Sequence, residues 1–479
     1  MISPPKGCIL IHSFFLAALN RFNKPILERP KTLMERKLFG TDGIRGQANT
    51  HPVTPEIALN LGKALGKIYV DSQHAGTAVI GKDTRLSGYM LETALTAGMV
   101  STGMRVFQTG PMPTPAIAHL VRSMNASCGV MITASHNPAK DNGIKVFGGD
   151  GFKLPDEEEA HIEEIMAGTI NGVAGDKIGK AIRLDDARGR YIEFAKQTIG
   201  NISLRGLRVV LDCANGASYE IAPTILRELG AEVIADSVSP DGININYNCG
   251  ATHPERICRL VKEYRADIGI TLDGDADRVI FSDCHGNEVN GDRIIGLCAL
   301  DMKARKRLPN DTIAVTIMSN LGLVDAMKKN GITTEITPVG DRYVIERMQE
   351  KGIYLGGEQS GHLIFLDYAT TGDGIVSALH VLKLMKQQNK QLHELTGFME
   401  EYPQKLGGLN VKQKPPLAEI PGYTDLVAQA DKDFAGTGRT VIRYSGTENK
   451  VRILVEAKDE ALAQKWYDKF SEFLKKALC

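Results

Sequence analysis

Thr133-Ala134-Ser135-His136-Asn137-Pro138 is the stretch that decides the fold of this 479-residue chain. It follows a short apolar run, 129–132, of the kind that forms a buried strand. Proline and the Asn-Gly pair at 142–143 favour turns, so we predict that the strand ends here and that a loop follows. The loop sets the Ser135 hydroxyl beside the His136 imidazole. A serine with a base and a cation nearby can be a nucleophile or carry a phosphate, and an ordinary polar turn is the alternative.

Three aspartates, Asp273, Asp275 and Asp277, follow a second buried run. Carboxylates at alternate positions at a strand end repel one another unless a cation neutralises them, and hard oxygen ligands of this kind suit Mg²⁺. A calcium-binding EF-hand loop does not fit, because Arg278 and Cys284 stand where that loop needs glycine and glutamate. We therefore predict a magnesium site, with a solvated acidic turn as the alternative.

A glycine-rich segment at 356–362 reads Gly-Gly-Glu-Gln-Ser-Gly-His. Its glycines let the backbone approach a ligand closely. Glu358 and Ser360 suit the hydroxyl groups of a sugar, and His362 suits a phosphate or a proton. The segment indicates a sugar-binding loop, and a plain glycine turn is the alternative.

A fourth stretch begins at Arg443. Two arginines, two hydroxyl side chains and a glycine-flanked backbone are suited to binding a phosphate dianion. A hairpin turn with surface arginines is the alternative. The candidate phosphate ligands are Arg443, Ser445, Gly446, Thr447 and Arg452.

With these four stretches in this order, the sequence resembles the alpha-D-phosphohexomutase family, in which a phosphoserine loop, a metal loop, a sugar loop and a phosphate loop follow one another. The segment 37–46, Lys-Leu-Phe-Gly-Thr-Asp-Gly-Ile-Arg-Gly, resembles the N-terminal signature of the members that act on glucosamine phosphate. Gln359 in the sugar loop favours the same members. The resemblance covers residues 34 to 479 and implies four domains around a central cleft.

The resemblance also implies roles for the residues singled out above. A phosphorylated Ser135 would be the phosphate donor, and one Mg²⁺ per active site would be held by Ser135 and the three aspartates. The sugar loop would hold the ring, and the fourth stretch would bind the phosphate that the sugar already carries. Which residue is the general acid and which the base stays open, and His136 has the alternative role of orienting Ser135. The candidates for proton transfer and charge stabilisation are Arg45, His136, Lys145, Arg278 and His362.

The implied reaction interconverts glucosamine 6-phosphate and glucosamine 1-phosphate through glucosamine 1,6-bisphosphate, which is both intermediate and activator. The product would supply UDP-N-acetylglucosamine and cell-wall synthesis. A mutase for glucose or mannose phosphates is the alternative within the family. A metal-dependent sugar phosphatase would use the same serine and metal but has less need of a separate phosphate loop. A non-catalytic sugar-phosphate binder would not need the serine and the aspartates.

Composition narrows the choice of other partners. Lysine plus arginine (57) equals aspartate plus glutamate (57), so the formal net charge is zero and nothing indicates a nucleic acid or an anionic membrane surface as a partner. The eight cysteines are scattered without a Cys-x-x-Cys pair. This argues against a zinc site and a disulfide scaffold, and it fits the cytoplasm. Whether the chain is a monomer or a homodimer stays open.

The alternation of strand and helix recurs three times with chemistry at strand ends, which is typical of α/β domains with mixed or parallel sheets. From residue 403 the pattern changes to that of a small α+β domain. We therefore predict a phosphoserine domain at 34–183, a metal-loop domain at 184–288, a sugar-binding domain at 289–402 and a phosphate-binding domain at 403–479.

Two segments depart from this plan. Residues 1–33 include an apolar run that is too short to span a bilayer and resembles a weak signal peptide. We interpret them instead as a disordered extension or an upstream start, because a secreted enzyme would lose its phosphorylated substrates. Position 449 is asparagine where the family's phosphate loop typically has proline, which leaves the loop more adaptable.

Overall fold

The structure, a computed structural model, describes residues 37–70, 76–445 and 449–479. The predicted leader at 1–33 and two predicted phosphate ligands, Gly446 and Thr447, lie outside the described residues. Residues 37–479 form one compact unit. It contains four β-sheets, each combined with helices, which confirms the predicted class of three α/β domains and a C-terminal α+β domain. We number the domains I to IV by their sheets, and the exact domain boundaries stay a prediction.

Domain I is built on a seven-stranded mixed sheet. Its strands are β1 (Phe39–Gly40), β2 (Gly43–Gln47), β3 (Thr77–Lys82), β4 (Arg105–Pro111), β5 (Cys128–Ile132), β6 (Asp141–Gly148) and β7 (Ala181–Arg183). Their order in space is β1-β2-β6-β5-β3-β4-β7, and β5, β3, β4 and β7 are parallel. Its helices are α1 (Pro55–Tyr69), α2 (Leu86–Ser101), α3 (Thr114–Ser123) and α4 (Asp156–Met166), and a 3₁₀ turn spans Gly175–Lys177. The loop with Ser135 follows β5 and so lies at the carboxyl edge of the parallel strands.

Domain II has a five-stranded sheet and carries the three aspartates. Its strands are β8 (Arg208–Asp212), β9 (Glu232–Asp236), β10 (Ile268–Leu272), β11 (Val279–Asp283) and β12 (Glu288–Val289), in the spatial order β12-β11-β10-β8-β9. Its helices are α5 (Ala187–Thr198), α6 (Ile221–Glu228) and α7 (Pro254–Tyr264). Strands β10, β8 and β9 are parallel, so Asp273 directly follows a carboxyl edge, as Ser135 does.

Domain III has a four-stranded sheet and carries the sugar loop. Its strands are β13 (Thr312–Thr316), β14 (Thr333–Thr337), β15 (Leu355–Gly357) and β16 (Leu363–Phe365), in the order β14-β13-β15-β16. Its helices are α8 (Gly291–Ala304), α9 (Leu321–Lys329), α10 (Asp341–Lys351), α11 (Gly374–Gln388) and α12 (Leu392–Leu395), with a 3₁₀ turn at Pro309–Asp311. Glu358 follows β15, which is parallel to β13. The sugar loop therefore also lies at a carboxyl edge.

Domain IV is smaller and antiparallel. Its strands are β17 (Gln404–Asn410), β18 (Gly438–Tyr444) and β19 (Lys450–Ala457), in the order β17-β19-β18. Its helices are α13 (Tyr423–Phe434) and α14 (Glu460–Leu478), with a 3₁₀ turn at Leu417–Glu419. The domain has its own hydrophobic core, in which Trp466 and Phe470 of α14 pack with Phe434 and with β19.

The residues around Thr54 explain why α1 begins where it does. Thr54 Oγ1 accepts a hydrogen bond from the Ile57 N–H at 3.4 Å, and Pro55 occupies the first helical position. A threonine cap satisfies an amide that has no partner inside the helix, and proline has no N–H to leave unsatisfied there. Thr54 and Pro55 together therefore fix the start of α1.

The prediction that Asn142-Gly143 forms a turn is wrong. Both residues lie in β6, which pairs with β5 on one side and with β2 on the other. A Cβ on Gly143 would lie 2.7 Å from the carbonyl oxygens of Ile44 and Thr133. Glycine is therefore needed because two neighbouring backbones approach closely, not because the chain reverses direction.

We call residues 273–277, which contain the three aspartates, the metal loop. Its tripeptide 274–276 joins domains I, II and III. The carbonyl of Gly274 accepts the Ala217 N–H of its own domain at 2.8 Å. The carbonyl of Asp275 accepts the Thr114 N–H of domain I at 2.9 Å, and that of Ala276 accepts the Gly374 N–H of domain III at 3.0 Å. The junction of three domains is thus built around the metal loop. None of the described helices has the length and apolar character that a membrane-spanning segment needs.

Candidate active site

Ser135 is almost fully buried at the junction of domains I and II. Its Oγ donates a hydrogen bond to Asp273 Oδ2 at 2.6 Å, and His136 Nδ1 lies 3.4 Å from the same Oγ. Its backbone has φ +51°, a left-handed conformation that is unfavourable for a residue other than glycine. The Ser135 carbonyl accepts hydrogen bonds from Asn246 Nδ2 at 2.9 Å and Arg85 Nη2 at 3.2 Å, which hold the loop in this conformation.

The three aspartates of the metal loop come together as a buried cluster. One carboxylate oxygen from each lies within 4.8 Å of the others. Burial, together with Asp277 and Asp275, raises the pKa of Asp273 well above its usual range. Asp275 Oδ1 and Asp277 Oδ1 have no hydrogen-bond partner within the described part of the chain. Close carboxylates with unpartnered oxygens fit a hard divalent cation.

A buried cation, Lys145, and a half-buried cation, Arg278, face this cluster. Lys145 Nζ lies 3.1 Å from Asp275 Oδ2, 3.3 Å from Asp277 Oδ2 and 3.5 Å from Asp42 Oδ2. Burial opposes the charge of Lys145, but these three carboxylates raise its pKa above the ordinary value. The pKa of Arg278 is raised in the same way, against burial, by Asp277 and Asp273. Both side chains therefore remain positively charged at neutral pH and can stabilise negative charge.

His136 differs from the two cations because it is neutral. Burial lowers its pKa to about 4, and the charges of Arg278 and Arg45 act in the same direction. Arg278 Nη1 lies 3.2 Å from His136 Nδ1, and a guanidinium can only donate, so Nδ1 is the acceptor and the ring proton is on Nε2. A neutral imidazole beside the Ser135 Oγ is an unprotonated base, but its lowered pKa makes it a weak one at neutral pH.

His362 contacts the metal loop through Asp277. Its Nδ1 lies 3.7 Å from Asp277 Oδ1, and its Nε2 lies 3.6 Å from Asp341 Oδ2. Burial opposes the imidazolium, but these two carboxylates raise the pKa of His362. The Gly372 N–H donates to Nε2 at 3.1 Å, which favours the tautomer with its proton on Nδ1, on the side of Asp277. The geometry suits a residue that positions Asp277.

Arg45 belongs to a charged network that links domains I and III. It forms an ion pair with Asp42, which also pairs with Lys145 and Lys153. Lys153 Nζ in turn lies 2.5 Å from Asp341 Oδ2 in α10. Arg45 is close enough to His136 to lower its pKa, so its charge acts beside Ser135.

A cleft of about 320 Å³ opens next to this cluster. Glu358 lies near it and is nearly buried, and its Oε1 accepts the Gly340 N–H at 3.1 Å. Ser360, by contrast, is exposed at the cleft. The lining contains donors and acceptors from domains I, II and III, which suits a polar ligand. The lining residues are His136, Ala251, Thr252, Asp273, Arg278, Ile280, Glu288, Asn290, Gln359 and Ser360.

Family models match four successive segments of the chain. Three are alpha/beta/alpha domains of phosphoglucomutase/phosphomannomutase: domain I at 36–171, domain II at 189–286 and domain III at 290–402. The fourth is the C-terminal domain of the same family at 409–473. This chain belongs to the phosphoglucomutase/phosphomannomutase family. The resemblance predicted from the four sequence stretches is confirmed.

Relatives of high identity extend over nearly the whole chain. The phosphoglucosamine mutase of Geotalea uraniireducens (strain Rf4) is 51% identical, over 92% of this chain and 98% of the relative. The phosphoglucosamine mutase of Anaeromyxobacter dehalogenans (strain 2CP-C) is 50% identical, over 93% of this chain and 100% of the relative.

Solved structures share the fold at lower identity. A phosphoglucomutase/phosphomannomutase family protein from Burkholderia thailandensis superposes with a TM-score of 0.76 at 23% identity, covering 92% of this chain and 97% of that chain. The N-acetylphosphoglucosamine mutase of Aspergillus fumigatus, solved in complex with GlcNAc-6P and magnesium, gives a TM-score of 0.63 at 18% identity, covering 92% and 96%.

Three of the predicted phosphate ligands, Arg443, Ser445 and Arg452, are described, and they lie in domain IV, apart from the Ser135 cluster. Arg443 of β18 and Arg452 of β19 stand directly opposite each other in the antiparallel ladder. Burial and the charge of Arg452 lower the pKa of Arg443. Ser445 is nearly buried, and its carbonyl accepts a hydrogen bond from Lys414 Nζ at 2.9 Å. Two guanidinium groups at directly opposite strand positions are suited to binding one anion together.

The sequence analysis did not single out several residues that build the cluster around Ser135 and the three aspartates. Asp42, Lys153 and Asp341 form the charged network, and Thr114 Oγ1 donates to Asp275 Oδ2 at 2.6 Å. Asp341 could have been found, because it follows β14 at a carboxyl edge. Thr114 and Lys153 carry no local signal, because their importance depends on contacts with distant parts of the chain.

Proposed function

We propose that this chain interconverts glucosamine 6-phosphate and glucosamine 1-phosphate by transferring a phosphate to and from Ser135. The observation that carries the proposal is the 2.6 Å hydrogen bond from Ser135 Oγ to Asp273 Oδ2, which places a buried hydroxyl against three carboxylates. The relatives that are 51% and 50% identical over nearly the whole chain are named phosphoglucosamine mutase, and this supports an aminosugar as the substrate.

The cation is Mg²⁺ in this proposal, held by Ser135, Asp273, Asp275 and Asp277. The support is the oxygen-only donor set and the two buried carboxylate oxygens that accept no hydrogen bond from the described residues. When bound, Mg²⁺ would offset negative charge on the phosphoryl group during transfer. The fungal mutase of the same fold that was solved with GlcNAc-6P and magnesium is in keeping with this choice.

The chemistry starts from phosphorylated Ser135. The bond between Ser135 Oγ and phosphorus breaks, a bond between phosphorus and a sugar hydroxyl oxygen forms, and the hydroxyl proton passes to a base. His136 is the neutral side chain at the site and can take that proton, whereas Lys145 and Arg278 stay charged and stabilise the phosphoryl oxygens. The product of this half-reaction is glucosamine 1,6-bisphosphate with a free Ser135. In the second half-reaction the other phosphate returns to Ser135.

The remaining residues bind the sugar phosphate. Ser360 and Glu358 lie beside the cleft and would hydrogen-bond the ring hydroxyls in both orientations of the bisphosphate. The phosphate that is not being transferred would bind at Arg443, Ser445 and Arg452, together with Gly446 and Thr447 of the same loop. We expect the enzyme in the cytoplasm, where its product would supply UDP-N-acetylglucosamine and cell-wall synthesis.

Phosphorus NMR tests the proposal. The purified protein, with Mg²⁺ and a trace of glucosamine 1,6-bisphosphate, receives glucosamine 6-phosphate, and parallel samples receive glucose 6-phosphate or mannose 6-phosphate. A 1-phosphate resonance that grows fastest with the aminosugar is the expected result. The matched control is Ser203→Ala, which changes an exposed serine outside the site and should behave as the wild type.

The other outcomes separate the alternatives. Faster conversion of glucose or mannose phosphate would keep the mechanism and change the substrate. Inorganic phosphate as the main product would indicate a phosphatase. No conversion in any sample would indicate that the protein binds a sugar phosphate without catalysing a reaction.

A further inference from the structure

Three metal-ligating side chains meet outside the active site. Cys284 and His285 lie in the turn between β11 and β12, and His393 lies in α12. One donor atom from each lies within 4.8 Å of the others. Cys284 Sγ and His393 Nδ1 are 3.6 Å apart, and the two imidazole rings have centroids 4.6 Å apart. The three side chains are thus near enough to share one ion.

The distance from sulfur to nitrogen matches the edge of a zinc tetrahedron. With Zn–S near 2.3 Å and Zn–N near 2.0 Å, a tetrahedral angle puts the two ligand atoms ~3.5 Å apart. The observed 3.6 Å agrees with that edge. Small side-chain rotations of His285 would bring its nitrogen to the same spacing, because it already lies within 4.8 Å of both partners.

The backbone on both sides of the cluster is held by local hydrogen bonds. Asp283 Oδ1 accepts the N–H groups of His285 and Asn287, each at 2.9 Å, which fixes the turn. Glu394 Oε2 accepts the Gln391 N–H at 2.7 Å as part of a capping box, which fixes α12 beside it. The ligands are therefore presented by ordered backbone, and ordered ligands lose less conformational entropy when they bind.

We propose that Cys284, His285 and His393 form a binding site for a borderline divalent metal ion such as Zn²⁺. One thiolate and two imidazoles suit Zn²⁺, Co²⁺ or Ni²⁺ better than Mg²⁺, whereas the aspartate cluster offers only oxygen. Cys284 and His393 are half-buried and His285 is exposed, so an ion can enter from solvent and water can occupy its fourth position. When the metal–sulfur bond forms, Cys284 loses its thiol proton to solvent.

The site would join two domains. The turn belongs to domain II and α12 to domain III, and Cys284 and His393 are 109 residues apart in the chain. The absence of a Cys-x-x-Cys pair argues against a zinc site formed by neighbouring cysteines, but it does not bear on ligands that come from distant parts of the chain. A bound ion would add a link between these domains that is independent of the active-site contacts.

Cobalt is the probe that distinguishes this site from the aspartate cluster. The full chain is stripped with a chelator, kept reduced and given excess Mg²⁺, and then titrated with Co²⁺ while its absorption is recorded. We expect a thiolate-to-cobalt charge-transfer band and strong visible bands of tetrahedral cobalt, which saturate at one ion per chain and disappear when Zn²⁺ is added. Asp273→Asn should leave these bands unchanged, because the aspartates contain no sulfur.

Variants locate the ligands. Cys284→Ser should abolish the charge-transfer band and weaken Zn²⁺ binding by ~100-fold or more, and His393→Gln should weaken it by ~10-fold or more. The matched control is Cys258→Ser, which changes another half-buried cysteine of domain II and should retain the full band. A wild-type protein without the band, or a band that persists in Cys284→Ser, would overturn the proposal.

A labelling experiment on the wild type covers the case in which Cys284→Ser does not fold. Zn²⁺ should slow alkylation of Cys284 at least ~10-fold, as read by peptide mass spectrometry, and should leave the rate at Cys258 unchanged. Equal rates at Cys284 with and without Zn²⁺ would overturn the proposal by this route.

Discussion

The Ser135 cluster and the Arg443–Arg452 pair are built in opposite ways. Ser135 and its aspartates are buried, and contacts from domains I, II and III hold them. The arginine pair lies on two neighbouring strands of one small sheet with its own core, and Arg452 is exposed. Transfer at Ser135 is faster when the reacting groups are held in one geometry. In the proposed mechanism, the arginine pair instead binds the phosphate that is not reacting, and it must do so in both orientations of the bisphosphate. Under the proposed function, the comparison separates a buried transfer centre from a docking site that is partly exposed on domain IV.

Polar contacts among the described residues join domain IV to domain III. Glu456 Oε1 accepts the Leu321 N–H at 2.7 Å, and the same carboxylate pairs with Arg439, which also donates to the Ser319 carbonyl. Next to these contacts, Asn320 exchanges hydrogen bonds with the backbone of Tyr402, the last residue of the predicted domain III. Because domain IV has its own core, we expect it to move as a unit about this junction.

Removal of the Ser135 hydroxyl should have the largest effect. Ser135→Ala should lower kcat by ~10³-fold or more, because Ser135 carries the phosphate in the proposed mechanism. Intact-mass spectrometry should show that protein-bound phosphate is lost while the thermal midpoint is retained. Phosphate that remains on the protein at another site in this variant would contradict the assignment of Ser135.

A change in the metal loop should come next. Asp275→Asn should raise the Mg²⁺ concentration needed for half-maximal activity by ~10²-fold, since one of three carboxylates is lost. Mg²⁺ titrations of the mutase rate measure this. The control is Asp433→Asn, an exposed aspartate paired with Lys465, which should leave the Mg²⁺ dependence unchanged. An unchanged Mg²⁺ requirement in Asp275→Asn would remove the aspartate cluster as the cation site.

A change in the docking site should act on KM. Arg443→Ala should raise KM for the sugar phosphate by ~10-fold to ~100-fold and change kcat by less, because in the proposed mechanism this residue binds the phosphate that is not transferred. Initial-rate measurements separate the two constants, and Lys465→Ala, on the outside of the same domain, is the control. A fall in kcat with unchanged KM would mean that Arg443 acts at the transfer centre. It would contradict the separation of the Ser135 cluster and the arginine pair into two sites with different roles.

The junction offers a prediction on pH. Burial raises the pKa of Asp292 to about 7, and its Oδ2 accepts the Asn320 N–H at 2.7 Å. A carboxyl whose pKa is raised on folding adds stability below its unfolded pKa near 3.8, and that stability is lost as pH rises through 7. Asp292→Asn removes this titration. The free energy of unfolding of the variant, minus that of the wild type, should increase by ~1–3 kcal/mol as the pH is raised from acidic to mildly alkaline.

Thermal midpoints of both proteins across that pH range measure this effect. Asp301→Asn, which changes a helix-surface aspartate paired with Arg305, is the control. A difference between Asp292→Asn and wild type that does not vary with pH would show that Asp292 does not titrate in this range.

The smallest effect is expected at position 449. Asn449 is exposed, and its carbonyl accepts the Val411 N–H at 2.9 Å, a bond that proline would also allow. Asn449→Pro should change kcat and KM by less than about threefold, because proline keeps this carbonyl and removes only an N–H. A large change in turnover would show that Asn449 contributes more to catalysis than we predict.

The sequence was informative wherever chemistry follows a strand directly. Ser135, Asp273 and Glu358 each come within a few residues of a buried strand, and the structure places all three at carboxyl edges of parallel strands. Strand ends carry such residues because the edge of a parallel sheet is where loops of different units meet. The order of the loops and the fold class therefore followed from local patterns.

Features that depend on tertiary contact could not be predicted. Asn142-Gly143 has the pattern of a turn, yet Gly143 is required by the backbones of Ile44 and Thr133. The pKa of His136 depends on Arg278, which lies in another domain. No window of sequence contains both partners of such pairs, so their effects become visible only in the folded chain.

The three consecutive carbonyls of the metal loop have a consequence for building chimaeras. Since 274–276 binds amides from domains I, II and III, a foreign version of any one of these domains must present its amide at the same position or it displaces the aspartates. Domains I to III should therefore be exchangeable between relatives only as a block. Domain IV, which does not bind this tripeptide through its described backbone, is the part that can be replaced separately to alter ligand preference.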